Sequence, residues 1–341
     1  MKPKVVIMAD VDNWAWGRKA GHLKRWLSDE FDITVWYLKY GPVPAIFDLY
    51  HTFDLPNVAW VPESKKCVTG ITAHVWPTWG ADKVRIWAGR AEAIHANSRL
   101  LMGEMRRFER HTRQGKSFYV PNGVCPDQFQ RTRPRPEGST LIVGHQGKPN
   151  PRKGADVLQA AVEEARARGA QIDYRLNQRT SKDAITADAM REWYQDLHLL
   201  AVCSDMDGTP NPALEAAACE VAVLTNSIGN MPEFMRMEHT SLVNNTNWNG
   251  HLIEGLEPYG FALGMMPDAC VNHPDRDGLI DAYAGAMHWA WESLIERCGS
   301  GVSPVVQQGV NARNTVRAAW TWKKQAERYR KMWMEVLGEH R

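Results

Sequence analysis

At 341 residues the chain is long for one domain and comfortable for two. Its 44% apolar and 23% charged residues are those of a soluble globular protein, and a formal net charge of +2 announces no bulk attraction to nucleic acid. No apolar run is long enough to span a bilayer and no basic, apolar leader opens the chain, so a cytoplasmic location is expected. The six cysteines are scattered, with no C-x-x-C, and read as reduced, buried thiols.

The first predicted element is the strand Lys4–Ala9, KVVIMA. A polar loop over 10–17 leads to a helix over 18–27 and a second strand over 33–38, a Rossmann-like opening. Trp14 and Trp16 in that loop have faces that suit a sugar or a base, and equally suit a packed seam between domains. Eight of the fifteen tryptophans precede residue 90, so aromatic surface is concentrated in this half. Further strands are expected over 47–51 and 67–73, with His51 and His74 at their ends. Residues 91–98 read as a short strand ending in Asn97-Ser98. The helix over 99–110 sets Leu100, Leu101, Met105 and Phe108 on one face, while Arg106, Arg107, Arg110 and Arg113 make the surface positive. Such a surface suits an anionic membrane or a phosphate backbone, and is also the form of an ordinary solvated helix.

Residues 131–138, RTRPRPEG, read as a Pro-rich linker between domains. A strand over 140–144 follows. It runs into the loop Gly144-His145-Gln146-Gly147-Lys148-Pro149-Asn150-Pro151-Arg152-Lys153-Gly154 and a helix over 155–168. Residues 172–176 are a strand and 187–197 a helix. The most informative stretch is 204–233. An apolar strand over 198–203 enters a polar loop, a helix opens with Asn211 as N-cap and Pro212 in its first turn, and a strand over 221–224 closes the unit. A loop at the carboxyl end of a strand, against a helix N-terminus, is where an open α/β sheet binds ligands and where phosphate is favoured. Two carboxylates flank that N-terminus, Asp207 in the loop and Glu215 one turn into the helix. Near the end, Ile280, Tyr283, Ala284, Met287, Trp291 and Leu294 mark a core-facing helix opened by Asp277. A last helix is expected from about Asn314 to Leu337, carrying Trp320 and Trp322.

Asp207-Gly208-Thr209-Pro210…Glu215, framed by Ser204 and by Gly229-Asn230-Met231-Pro232-Glu233, resembles the acidic-x7-acidic signature of the retaining glycosyltransferases with the GT-B fold, family 4 type. Val120-Pro121-Asn122-Gly123-Val124 and the Lys153-Gly154 element resemble further parts of that family's pattern. Three departures are visible: Asp at 207 where Glu is usual, Asn230 where Gly is usual, and His145 where the family has Arg.

The resemblance implies an α/β fold of two Rossmann-like domains facing a cleft. The N-terminal acceptor domain would span 1–130 and be completed by a C-terminal helix at 314–341 that crosses back to it. Residues 131–139 would be the linker and 140–313 the donor domain. It implies a retaining hexosyl transfer from a nucleoside-diphosphate sugar, UDP or GDP, with no metal required. Glu215 would take the ribose. Asp207, Gly208 and Thr209 would take sugar hydroxyls and phosphate, and Lys153 the diphosphate charge, helped by Lys148, Arg152, His145 and Gly144. His74 would contact the sugar from the other domain, and Asp12, Trp14, Trp16 and Gly17 would lie on the acceptor side. The acceptor hydroxyl would belong to a glycan or lipid-linked sugar, or to a hydroxymethylated base of DNA. An epimerase or phosphorylase on the same fold, or a non-catalytic nucleotide-sugar binder, is the alternative.

Overall fold

The computed structural model describes residues 1–12, 14–73, 76–180, 185–205, 207–226, 228–235, 276–296 and 302–338. His74, the expected loop-rich stretch over 244–267, Cys270 and Cys298 lie outside the described residues. The elements run β1 (Lys4–Ala9), α1 (Ala15–Leu27), β2 (Asp32–Tyr37), β3 (Leu49–Thr52), β4 (Lys66–Ile71), α2 (Ala81–Gly89), β5 (Ala93–Ala96), α3 (Arg99–Glu109) and β6 (Lys116–Tyr119). Then come β7 (Leu141–Gly147), α4 (Ala155–Ala167), β8 (Ile172–Gln178), α5 (Ala187–Gln195), β9 (Leu199–Val202), α6 (Asn211–Ala218), β10 (Ala222–Thr225) and α7 (Met231–Met235). The chain closes with α8 (Arg276–Ile295), α9 (Pro304–Ala319) and α10 (Trp322–Leu337).

The strands form two parallel sheets, in the orders β2-β1-β3-β4-β5-β6 and β10-β9-β7-β8. A parallel sheet needs helices on both faces, which is why its strands read as unbroken apolar runs; Val5 through Ala9 are all fully buried. Contacts group the chain into unit 1 (Met1–Gly123, Asp207–Thr209, Trp322–Arg341) and unit 2 (Val124–Met206, Pro210–Thr321).

Helix α10 is a working part of unit 1. Trp333 is fully buried and its Nε1–H donates to His51 Nδ1 at 2.8 Å. The Tyr329 hydroxyl donates to Val120 O at 3.0 Å, and Lys66 Nζ donates to Leu337 O at 3.0 Å, closing the carbonyl end of the helix. The single C-terminal helix expected from the sequence is two helices, broken at Trp320–Thr321. The break has a tertiary cause: Val124 N donates to Trp320 O at 2.9 Å, and Val124 pairs with Thr321 as an isolated bridge.

The Pro-rich stretch expected as a linker is bound to unit 2 along its first half. Gln195 Oε1 accepts from Thr132 N at 2.8 Å and Arg133 N at 3.1 Å. Arg131 donates to Cys219 O and Gln195 O. Arg135 and Arg313 both pair with Glu220. Helix α6 also starts one residue earlier than expected: Pro210 holds the capping position and Asn211 is already helical.

Candidate active site

The strand orders fix where each sheet can hold a ligand. In unit 2 the chain leaves β7 for β8 on one side and returns to β9 on the other, so the switch point lies between β7 and β9. The loop over 148–154 and residues Cys203–Pro210 follow the carboxyl ends of those two strands.

These two segments are packed into one another. Gly154 has a φ of +67°, and a Cβ there would sit 2.1 Å from Cys203 O. Only glycine fits such an approach in that conformation. Asp205 N donates to Arg152 O at 2.9 Å, tying the loops a second time. Asn150 Oδ1 accepts from Arg152 N and starts the short turn Pro151–Lys153. The stem of Lys153 crosses Gly147, with Lys153 Cγ 3.2 Å from where a Gly147 Cβ would be. Lys148 and Arg152 are exposed at the rim of this loop. Burial, then the neighbouring Asp156, raises the Asp205 carboxyl to about 6, with Arg152 opposing. Burial pushes the Cys203 thiol up to about 12, which makes it an inert packing group.

His145 differs from the expectation. The sequence ended its strand at Gly144 and placed His145 in the ligand loop, but β7 runs on to Gly147 and His145 is 1% exposed within the sheet. Its Nδ1 lies 3.1 Å from Ala201 O, which makes Nδ1 the protonated nitrogen and leaves Nε2 a buried acceptor with no hydrogen-bond partner. Burial, and then the charge of Lys153, lowers its pKa, against the opposing bond to Ala201. Nε2 lies 3.5 Å from the Gly147 Cβ position, beside the Lys153 stem. Gly144 also has a packing reason: a Cβ there would meet Leu197 Cδ1 at 2.3 Å.

Glu215 is half-buried in α6, and its Oε2 accepts the Tyr194 hydroxyl at 2.8 Å. Tyr194 is fully buried on α5 and fixes one carboxylate oxygen. Asp207–Thr209 group instead with unit 1. A Cβ at Gly208 would lie 2.1 Å from Asn97 Oδ1 and 2.2 Å from Thr72 O, so this residue too must be glycine. The structure therefore brings Lys153, His145 and the β9 end together, and Glu215 with Tyr194, while Asp207–Thr209 lie beside Asn97 and Thr72.

In unit 1 the switch point lies between β1 and β3. The loop after β1 turns back sharply: a Gly17 Cβ would be 2.1 Å from both Val11 O and Asp12 O. Asp12 Oδ1 accepts the Tyr37 hydroxyl at 2.7 Å. Trp16 is half-buried against Phe53, centroids 6.3 Å apart, and Trp14 is half-buried at the start of α1. Behind them lies a group the sequence did not reveal. Lys19 is 3% exposed, its Nζ 4.6 Å from the Phe53 ring centroid and 5.3 Å from that of Tyr329, with no hydrogen-bond partner. Beside it, the rings of His51 and His95 have centroids 4.8 Å apart, and His95 lies over Gly70, which has no side chain to block it. Burial drops the Lys19 pKa from 10.5 to about 7 and holds both histidines neutral. Tyr194 and Lys19 carried no signal in pattern or spacing, whereas Asn97 was marked by its place at the end of the strand read over 91–98.

The family model described as "Glycosyl transferases group 1" matches residues 137–257, which include the Lys153 loop and Glu215. A sucrose-phosphate synthase from Thermosynechococcus elongatus has the same fold, with a TM-score of 0.68 at 13% identity over 99% of this chain and 100% of that one. The chain has the GT-B fold of these proteins, and residues 137–257 are similar to the glycosyl transferases group 1 model. A glycosyltransferase from Rickettsia africae ESF-5 superposes with a TM-score of 0.63 at 12% identity, covering 99% of this chain and 100% of the other. The pneumococcal O-GlcNAc transferase GtfA, solved with UDP and GlcNAc, gives a TM-score of 0.59 at 12% identity over 85% of this chain and 57% of that one. No curated protein sequence matches. Among the described residues no helix is long and apolar enough to cross a membrane.

Proposed function

We propose that the protein is a glycosyltransferase that moves a sugar from a nucleoside-diphosphate sugar to an acceptor hydroxyl with retention of anomeric configuration. The observation that carries the donor side is the interlocked pair of loops at the β7/β9 switch point, with Lys153 on one and the approach to Glu215 on the other. The leaving group is a diphosphate whose charge grows as the glycosidic bond breaks. A lysine ammonium carried on two packed loops is suited to stabilising it. Glu215, its carboxylate oriented by the Tyr194 hydroxyl, takes the ribose hydroxyls. Asp207, Gly208 and Thr209 take sugar hydroxyls and phosphate. Lys148 and Arg152 add charge at the rim. Unit 1 takes the acceptor, with Asp12, Trp14, Trp16 and Gly17 on its β1 loop, and the role proposed for His74, from the sequence resemblance, is contact with the donor sugar. The proposed reaction proceeds in the cytoplasm without a bound metal.

The test is a transfer assay with a panel of UDP- and GDP-sugars in EDTA, with the product anomer read by NMR. One donor is consumed and the α or β configuration is kept. Lys153→Met lowers kcat about 10²–10³-fold, the loss typical of removing one group that stabilises developing charge. Inversion of configuration, or full activity of Lys153→Met, refutes the proposal.

A further inference from the structure

The net charge of +2 conceals a strong division. Unit 1 holds 24 of the 41 Lys and Arg but 16 of the 39 Asp and Glu, a net +8, while unit 2 holds the other 17 and 23, a net −6. Much of the excess forms a band around one side of unit 1. Helix α3 presents Arg99, Arg106, Arg107 and Arg110 to solvent, and α10 presents Lys324, Arg328 and Lys331. Between the helices lies β6, the outermost strand of the six-stranded sheet. The two rows meet at Tyr119 on that strand, whose ring lies 5.3 Å from the Arg99 guanidinium and 5.1 Å from that of Arg328.

Cations outnumber acids along it: α3 with Arg110 and α10 together carry nine Lys and Arg against four Glu, of which Glu109 accepts from Ser117 Oγ, Glu327 pairs with Arg330 and Glu335 with Lys116. Arg106, Arg110 and Lys331 have no ion pair among the described residues. Seven cations held at high local density repel one another, and an anionic polymer relieves that repulsion and releases counterions on binding.

We propose that unit 1 binds the phosphodiester backbone of duplex DNA along this band. A lipid surface fits poorly. The apolar side chains of α3 (Leu101, Met102, Met105, Phe108) are buried in the core, and no large apolar side chain of α3, β6 or α10 is exposed to enter a bilayer. Unpaired bases fit poorly as well. They need open aromatic faces to stack on, and Tyr119 is half-buried between two guanidinium groups. What the band offers is point charge along two helix rows of roughly 10 and 16 Å, the span of several phosphates on a duplex. The binding stands by itself; its extension, that the acceptor hydroxyl is carried by DNA, rests on the glycosyl-transfer reading.

The test is fluorescence anisotropy with a labelled duplex of roughly 25 base pairs over about 50–300 mM KCl, beside sedimentation with phosphatidylserine vesicles. Binding to duplex is expected to weaken with salt with a log–log slope of roughly −4 to −6, five or six phosphates being contacted. The double variants Arg106→Glu/Arg110→Glu and Arg328→Glu/Lys331→Glu each weaken binding at least about tenfold and flatten the slope by about 2. Both variants keep the wild-type circular dichroism and thermal shift with nucleotide, which separates loss of the band from loss of the fold. Vesicle binding without duplex binding overturns the proposal in favour of a membrane partner. Tight binding that ignores salt, or double variants that bind like wild type, overturns it too. Duplex binding lost while nucleotide binding persists leaves the donor reading intact, and the reverse result leaves the band intact.

Discussion

Replacing Lys19 with Met should stabilise the protein at neutral pH, although it removes a charged residue from unit 1. The ammonium is 3% exposed with no hydrogen-bond partner, and burial lowers its pKa from 10.5 to about 7. A shift of three and a half units corresponds to about 5 kcal/mol of penalty for holding the charged form. The Phe53 and Tyr329 rings return up to about 2 kcal/mol through cation–π attraction. The net cost is then about 3 kcal/mol. This is a base whose folded pKa lies below its unfolded value. With the ring attraction included, the penalty of about 3 kcal/mol spans roughly two pH units: it is complete below about pH 8, shrinks as pH rises, and is gone above about pH 10.5. Met keeps the stem and discards the charge. The neighbouring His51 and His95 are already neutral across that window and add no slope. Guanidinium chloride unfolding of both proteins at about pH 6, 7.5 and 9.5 reads the difference directly. The variant should lead by about 3 kcal/mol at the lowest pH and by little at the highest. A difference that does not change with pH, or a variant less stable than wild type at pH 7, refutes the burial argument.

Gly154→Ala places a Cβ 2.1 Å from Cys203 O at a φ of +67°, so it should destabilise unit 2 by about 2 kcal/mol or more, seen in the unfolding midpoint. It should also weaken nucleotide binding in a titration, because the two loops can no longer lock; unchanged binding would show that the loop pair is not the donor site. Tyr194→Phe removes the hydroxyl bound to the Glu215 carboxylate, a charge-assisted bond worth about 1.5–3 kcal/mol. Affinity for a nucleoside diphosphate should fall about 3–10-fold, while a dideoxy analogue lacking ribose hydroxyls should bind both proteins alike.

The sequence exposed the second unit more fully than the first, and the reason is local. Residues 199–225 carry their structure in short-range signals: an apolar run, Pro212 in the first helical turn, an Ala-rich helix and a second apolar run. The missed features depend on partners far away in the chain. Helical periodicity continues through Trp320–Trp322, and the pairing of Val124 with Trp320 and Thr321 interrupts it. Lys19 sits in the basic run Arg18-Lys19…Lys24-Arg25 and reads as solvated; it is buried because Tyr329 of α10 closes over it. His145 was misplaced by three residues of strand, enough to move a side chain from a ligand loop into a sheet. The charge division was hidden for the same reason. Until α10 is assigned to unit 1, the basic tail looks like compensation for the acidic second half instead of an addition to the first.

The central claim is that unit 2 binds a nucleoside diphosphate through Lys153 and Glu215. Calorimetric titration of the wild type, Lys153→Met and Glu215→Ala with UDP, GDP and the matching nucleosides tests it most directly. One diphosphate should bind at a single site, Lys153→Met should lose the preference of diphosphate over nucleoside, and Glu215→Ala should weaken both. A protein that binds none of these ligands, or variants that bind them as the wild type does, would contradict it.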